Sequence, residues 1–183
     1  GTFGNTSVAN TAVSGLSYGT NTFRWTVTNG TCPPSTSDVT ITLFEPPTTA
    51  NAGTSQNLCG TIATTNATLA ANAAGVGTGE WTVVSGSGTF SNINDPTATV
   101  SGLSYGANVF RWTISNGNCM ATTSEVTITL NQPPTVASAG PAQSLCGLNT
   151  TTNATLAGND PAVGTGTWTV VSGSGSFSNV NAF

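Results

Sequence analysis

One long stretch of this sequence occurs twice. Residues 14–96 align without a gap on residues 101–183, an offset of 87 positions, and 55 of the 83 aligned residues are identical. This period is longer than the roughly 20–50 residues of solenoid repeats. It suits a small β-sandwich, for which about 100 residues is usual. The repeat therefore predicts tandem copies of one fold.

Two Pro-Pro pairs, beginning at Pro46 and Pro133, mark the predicted module boundaries. Each pair follows a strand pattern, and proline cannot continue a hydrogen-bonded ladder. We predict a complete module at residues 47–133, the C-terminal half of another at 1–46 and the N-terminal half of a third at 134–183. Either the array extends beyond this sequence, or one copy's front half completes a neighbour's back half in a head-to-tail polymer.

Alternating apolar and polar residues predict an all-β fold. The clearest alternation covers residues 109–115 and 125–130, and residues 116–118, Asn-Gly-Asn, are typical of a hairpin between them. Shorter strands are expected near residues 66–71 and 81–84. Each module is predicted to be an immunoglobulin-like β-sandwich of roughly seven short strands in two sheets.

Aromatic residues at inward positions of these strands are the candidate core. They are Phe23, Trp25, Trp81, Phe110, Trp112 and Trp168. Tyr105 lies in the turn before the strand at residues 109–115, where its hydroxyl could anchor nearby backbone as in a tyrosine corner. The alternative for Tyr105 is an exposed ring that stacks on a sugar.

Four cysteines, Cys32, Cys59, Cys119 and Cys146, are disulfide candidates and indicate an oxidising compartment. Cys59 and Cys119 could bond within one module. However, an immunoglobulin-like strand order places them at opposite ends, and a seven-residue strand spans about 23 Å. The second possibility is a bond across each junction, between the first-turn cysteine of one module and the last-hairpin cysteine of the next.

Charge excludes several functions. Charged residues make up 4% of the chain, its net charge is −4, and it contains no histidine. The shortage of cations argues against nucleic acid and against an anionic membrane surface. No apolar run is long enough for a membrane span. Without histidine, paired acids or a phosphate loop, we expect no metal, no cofactor and no catalysis.

The two basic residues, Arg24 and Arg111, occupy equivalent positions in the middle of strands, on the outer face. Asp38 and Glu125 are also equivalent, and each opens the last strand of its module. An arginine that forms a surface ion pair is the simpler interpretation, and ligand binding is the alternative.

Several segments resemble PKD-like repeats of very large surface and secreted proteins of the Bacteroidota, including gliding-motility-type adhesins. They are Trp81-Thr82-Val83-Val84-Ser85-Gly86, Phe110-Arg111-Trp112-Thr113 and Asn116-Gly117-Asn118-Cys119. The resemblance implies immunoglobulin-like sandwiches, export by a type IX secretion system and display at the cell surface, outside the cell. The Asp of a W-x-F-G-D-G motif is missing after Trp81, so features tied to that motif are not transferred.

These observations favour a structural and adhesive role as the stalk or filament of a large secreted surface protein. The expected partners are neighbouring repeats of the same chain, with other copies in a filament, surface glycans and surface proteins as further candidates. The alternative function is a spacer or binding module of a secreted glycan-degrading enzyme.

Overall fold

A computed structural model describes residues 1–148 and 152–179, so residues 149–151 and 180–183 of the third predicted module lie outside the described residues. Regular structure in the described part of the chain is entirely β-strand. No helix able to cross a membrane is found in those ranges. The strands are β1 (Thr2–Phe3), β2 (Val13–Ser14), β3 (Gly19–Val27), β4 (Ser35–Leu43), β5 (Gln56–Cys59), β6 (Ala67–Thr68), β7 (Thr78–Ser85), β8 (Thr89–Phe90), β9 (Thr99–Ser101), β10 (Gly106–Ser115) and β11 (Thr122–Asn131).

Strands β5 to β11 form two sheets, which together we term the central sandwich. One sheet has the order β5-β11-β10-β7 and the other has the order β6-β9-β8. All neighbours are antiparallel except β5, which runs parallel to β11. This is an immunoglobulin-like strand order, in which the last two strands and the third share one sheet. The all-β, two-sheet fold expected from the alternation is confirmed.

The core lies between these two sheets. Strand β10 alternates strictly, so Phe110, Trp112 and Ile114 are buried while their neighbours face outward. Trp81 of β7 packs on Trp112 with ring centroids 5.1 Å apart. Full burial of side chains of this size contributes roughly 2–3 kcal/mol each. Three of the expected core aromatics, Trp81, Phe110 and Trp112, are therefore at the centre of the core.

A buried asparagine anchors the loops at one end of the central sandwich. Asn108 is fully buried, and its Nδ2 donates to the carbonyls of Ser104 (2.9 Å), Gly106 (3.2 Å) and Ile128 (3.2 Å). Its Oδ1 accepts from the backbone N–H of Ser87 (2.9 Å) and from the N–H and hydroxyl of Ser104 (3.1 and 2.8 Å). Asn108 thus has the anchoring position that the sequence suggested for Tyr105.

Strands β3 and β4 form a separate antiparallel pair, the N-terminal hairpin. Its register runs from Gly19 opposite Leu43 to Val27 opposite Ser35, and each pair has its equivalent 87 residues later in β10 and β11. Burial differs, because the two-stranded sheet β1–β2 covers Phe23 through Phe3, but no described counterpart of β6 or β7 covers the rest of the hairpin. Trp25 is 44% exposed, whereas its equivalent Trp112 is 1% exposed.

Two expected core aromatics therefore lie in other surroundings. Trp25 is exposed rather than buried, and Phe23 is half-buried with Phe3 at a centroid distance of 5.5 Å. Both belong to a hairpin whose apolar face meets the short β1–β2 sheet but has no counterpart of β6 or β7 among the described residues. The alternation of the sequence places both side chains on the inward face of the hairpin. Burial of that face also requires a complete second sheet opposite it.

The described residues from 134 onward, termed the C-terminal segment, contain no strand. They nevertheless repeat local contacts of the central sandwich. Gln143 Nε2 donates to the carbonyl of Thr155 (2.7 Å), as Gln56 does to Thr68 (2.8 Å). Trp168 is half-buried and stacks on Phe177 at 6.5 Å, as Trp81 does on Phe90 at 6.2 Å. No strand of β10 or β11 type lies beside this segment in the part of the chain that the structure describes.

Candidate functional site at the junction

The end of β4 is held against the tip of the β10–β11 hairpin. Asn116 Nδ2 donates to the carbonyl oxygen of Glu45 at 2.8 Å. The thiol sulfur of Cys119 lies 3.6 Å from the carbonyl oxygen of Phe44 and 3.5 Å from that of Glu45. We call these contacts, together with residues 44–50, the junction. The junction joins the N-terminal hairpin to the central sandwich end to end.

Gly117 lets the Phe44 ring approach the hairpin tip. Its φ is +53°, a conformation that side chains disfavour. A Cβ on this residue would also overlap Cδ1 and Cε1 of Phe44. The equivalent Gly30 has nearly the same φ, +54°, but nothing lies within 4 Å of its Cβ position. Glycine at 117 is thus required twice, once by the turn and once by the contact.

The linker itself is bonded into the central sandwich. The carbonyl of Thr48 accepts from the hydroxyl of Thr122 (2.7 Å), which in turn accepts from the N–H of Ala50 (3.0 Å). Thr48 also exchanges two hydrogen bonds with Val76, at 3.1 and 2.8 Å. Asn72 Nδ2 donates to the carbonyl of Thr49 at 3.0 Å. These bonds hold residues 48–50 against the central sandwich.

The linker that follows the central sandwich shows part of this pattern again. Thr135 exchanges two hydrogen bonds with Val163, at 3.0 and 2.9 Å. Asn159 Nδ2 donates to the carbonyl of Val136 at 3.1 Å, the counterpart of the bond from Asn72. The two linkers therefore share these bonds, 87 residues apart, whereas the bonds to a hairpin tip and to Thr122 are described at the first linker only.

The four cysteines are all free thiols in this structure. Cys59 ends β5 and is opposite Asn131, the last residue of β11. Cys119 precedes β11, which begins at Thr122. Ten residues of strand span about 34 Å, whereas a disulfide needs Cα atoms about 4.4–6.8 Å apart. The strand order therefore separates Cys59 and Cys119, and a bond within one module is incompatible with this geometry.

Both arginines form ion pairs on the outer face of their hairpins. Arg24 binds Asp38 through two hydrogen bonds, at 2.7 and 2.9 Å. Arg111 binds Oε1 of Glu125 through two nitrogens, at 2.9 and 2.6 Å. The hydrogen bond from Arg24 holds the pKa of Asp38 below its ordinary value. The surface ion pair is therefore the observed arrangement, and such exposed pairs contribute little to stability.

The sequence indicated Cys119 and the hairpin turn that contains Asn116, but it did not single out Thr48 or Phe44. Thr48 and Asn116 carried a signal, since each recurs at its equivalent position, as Thr135 and Asn29. Phe44 carried none, because the equivalent residue is Asn131. Contacts between units that are distant in the sequence are visible only once the fold is known.

Comparison with known proteins finds similarity among solved structures. No protein-family model and no curated protein matches the chain. Among solved structures, the chain is similar to the solution structure of the PKD domain from KIAA 1837 protein. The two are 23% identical with a TM-score of 0.39, and the match covers 52% of this chain and 92% of that one. The strand order of the central sandwich shows the immunoglobulin-like fold.

Proposed function

We propose that this chain is a section of an extracellular, cell-surface stalk or filament built from tandem β-sandwich modules. Its role is mechanical and adhesive rather than catalytic. The number of repeated units determines the length of the stalk, and the junctions between them determine its stiffness. Neighbouring repeats of the same chain are the principal partners. A binding tip carried by such a stalk would meet surface glycans or proteins.

The observation that carries this proposal is the junction. Asn116 and Cys119 contact residues 44 and 45, and Thr122 fixes the linker through Thr48. Flexible linkers behave as random coils with few contacts, and a bonded linker keeps successive units in a constant orientation. A repeated, bonded junction adds the same step at each module, which is what a stalk requires.

The experiment is a length series. Additional copies of residues 47–133 are inserted in tandem into the 183-residue chain, and the particles are imaged by electron microscopy. We expect straight particles whose contour grows by a constant increment of roughly 35 Å per inserted copy, about the span of a ten-residue strand. Bent chains of beads with variable angles, or compact globules, would contradict the stalk.

A further inference from the structure

The C-terminal segment contains a cleft that matches an exposed tryptophan elsewhere in the chain. The cleft has a volume of about 280 Å³ and is lined by Asn159, Gly166 and Trp168, among others. In the central sandwich, the equivalents of Asn159 and Gly166 are Asn72 and Gly79, and both contact Trp112.

The Nε1 of Trp112 donates to the carbonyl of Asn72 at 3.1 Å, and Gly79 leaves room for its ring. The residue equivalent to Trp112 in the N-terminal hairpin is Trp25, which is 44% exposed. The cleft therefore has the lining that this ring requires, and the ring that would fill it is exposed in the same chain.

The outer edge of β4 in the N-terminal hairpin also matches a strand-like sequence in the C-terminal segment. In the central sandwich, β11 pairs on its outer side with β5, whose sequence is Gln-Asn-Leu-Cys. Strand β4 is equivalent to β11, but among the described residues it pairs only with β3. Residues 143–146, Gln-Ser-Leu-Cys, repeat β5 and are in no strand.

We propose that the C-terminal segment of a second copy completes the N-terminal hairpin, and that two disulfides link the copies at this interface. In the completed sandwich, residues 143–146 of the second copy pair with β4, and its cleft receives Trp25. One disulfide joins Cys119 to Cys146 of the second copy, and the other joins Cys32 to Cys59 of the second copy. The occupant is a copy of this chain because its sequence repeats the segment that covers β10 and β11.

The position of the first disulfide follows from two observed geometries. Cys59 is opposite Asn131 in the parallel pair, and Phe44 is the residue equivalent to Asn131. A strand of β5 type beside β4 therefore places Cys146 of the second copy opposite Phe44, about 4.8 Å away between strands. The thiol of Cys119 is already 3.6 Å from the carbonyl of Phe44. The two cysteines thus come within reach of a disulfide.

The second disulfide repeats this geometry one module away. Cys32 follows β3 as Cys119 follows β10, and each makes the same local turn bond. The N–H of Cys32 donates to the carbonyl of Asn29, and that of Cys119 donates to the carbonyl of Asn116, both at 3.1 Å. The C-terminal segment of the second copy directly follows that copy's central sandwich along the chain. The completed sandwich therefore lies next to it, and Cys32 faces the end of that copy's β11. Cys59 of the second copy is opposite Asn131 at that end.

The chemistry is thiol–disulfide exchange. A thiolate attacks a small-molecule disulfide such as oxidised glutathione and releases one thiolate, which leaves a mixed disulfide on the protein. The partner cysteine, as thiolate, attacks the protein sulfur, forms the S–S bond and releases the second small-molecule thiolate. Each disulfide therefore consumes one oxidised glutathione, loses two protons from the cysteines and transfers two electrons to the reagent.

The test is oxidation of the reduced 183-residue chain with oxidised glutathione, followed by non-reducing electrophoresis and peptide mapping. We expect a ladder of covalent oligomers that dithiothreitol returns to monomer. The linked peptides should contain Cys119 with Cys146, and Cys32 with Cys59. A bond between Cys59 and Cys119, pairs of identical cysteines, or no linkage would overturn the proposal.

Matched variants with two thiols each sharpen this test. The variant Cys32→Ser/Cys59→Ser retains Cys119 and Cys146, a facing pair, and should still form the ladder. The variant Cys59→Ser/Cys119→Ser retains Cys32 and Cys146, which do not face each other, and should remain monomeric on the gel. Equal ladders from both variants would show indiscriminate oxidation and reject the proposal. Circular dichroism checks that both fold, as expected since Cys32 and Cys59 are exposed and Cys119 is half-buried.

This inference rests on the end-to-end arrangement proposed above, yet the two can fail separately. The length series joins its modules by peptide bonds and needs neither a second copy nor a disulfide. Straight particles in that series together with no ladder would refute the disulfides and leave the stalk intact. Bent or compact particles would refute the stalk whatever the gel shows.

Discussion

Asn108 offers the sharpest test of how the central sandwich is held together. We consider Asn108→Ala, which removes a fully buried side chain with six hydrogen bonds to four residues. The carbonyl of Ile128 loses a buried donor, and an unsatisfied buried group costs about 1–3 kcal/mol. The other bonds are only partly buried, so water replaces them in part, at a net loss of roughly 0.5 kcal/mol each.

Together these terms give a loss of about 3.5–5.5 kcal/mol in the free energy of unfolding, a large part of the roughly 5–15 kcal/mol typical of a domain. The assay is urea denaturation of the full chain, followed by the fluorescence of the buried Trp81 and Trp112. With a urea dependence near 1–3 kcal/mol per molar, the midpoint should fall by roughly 2 M.

The chain supplies a control in Asn21, the equivalent residue of the N-terminal hairpin. Its side chain makes the same type of bonds, to Ser17, Gly19 and Ile41, but nearly all of them are exposed. Asn21→Ala should change the stability by less than about 0.5 kcal/mol. A loss below 1 kcal/mol for Asn108→Ala, or equal losses for the two variants, would refute the reasoning from burial.

Three further outcomes are expected. Gly117→Ala should increase hydrogen exchange at residues 44–50, because a Cβ at residue 117 meets the Phe44 ring. The control Gly30→Ala carries the same penalty for a positive φ without that contact. Equal hydrogen exchange at residues 44–50 in the two variants would contradict the junction contact. Gly79→Ala should lower the urea midpoint strongly, because its Cβ overlaps the Trp112 ring, and Gly166→Ala, with an open Cβ position, should not. The NMR titration of Asp38 should give a pKa below its ordinary value, and Arg24→Gln should raise that pKa. The small stabilisation by the ion pair is present at a pH above the ordinary pKa of an aspartate. It is lost as the pH falls through the lowered pKa of Asp38.

Local pattern was enough to predict the strands that make up the middle of the sandwich. The alternation at residues 109–115 and 125–130 marks the centres of β10 and β11, and Asn116-Gly117 marks their turn. These signals are local because each strand has one buried and one solvent-exposed face, and a hairpin joins strands that are neighbours in the sequence.

Other features depend on contacts far apart in the chain. The parallel pairing of β5 with β11 joins Gln56 to Ile128 and leaves no turn signal in the sequence. Asn108 is one asparagine among many, and only the packing of two loops and strand β11 around it shows that it is buried. Trp25 shows a different limit of the sequence. The alternation predicts correctly that it lies on the inward face of the hairpin, but not whether a facing sheet covers it.

A stiff, repeated junction is the central claim, and the distance between two spin labels measures it directly. Labels at Thr40 of β4 and Thr123 of β11, placed in a chain whose four cysteines are replaced by serine, report the relative position of the N-terminal hairpin and the central sandwich by double electron–electron resonance. We expect a single narrow distance distribution, because residues 44–50 are bonded to the central sandwich. A broad distribution, like that of two units on a free tether, would contradict the account.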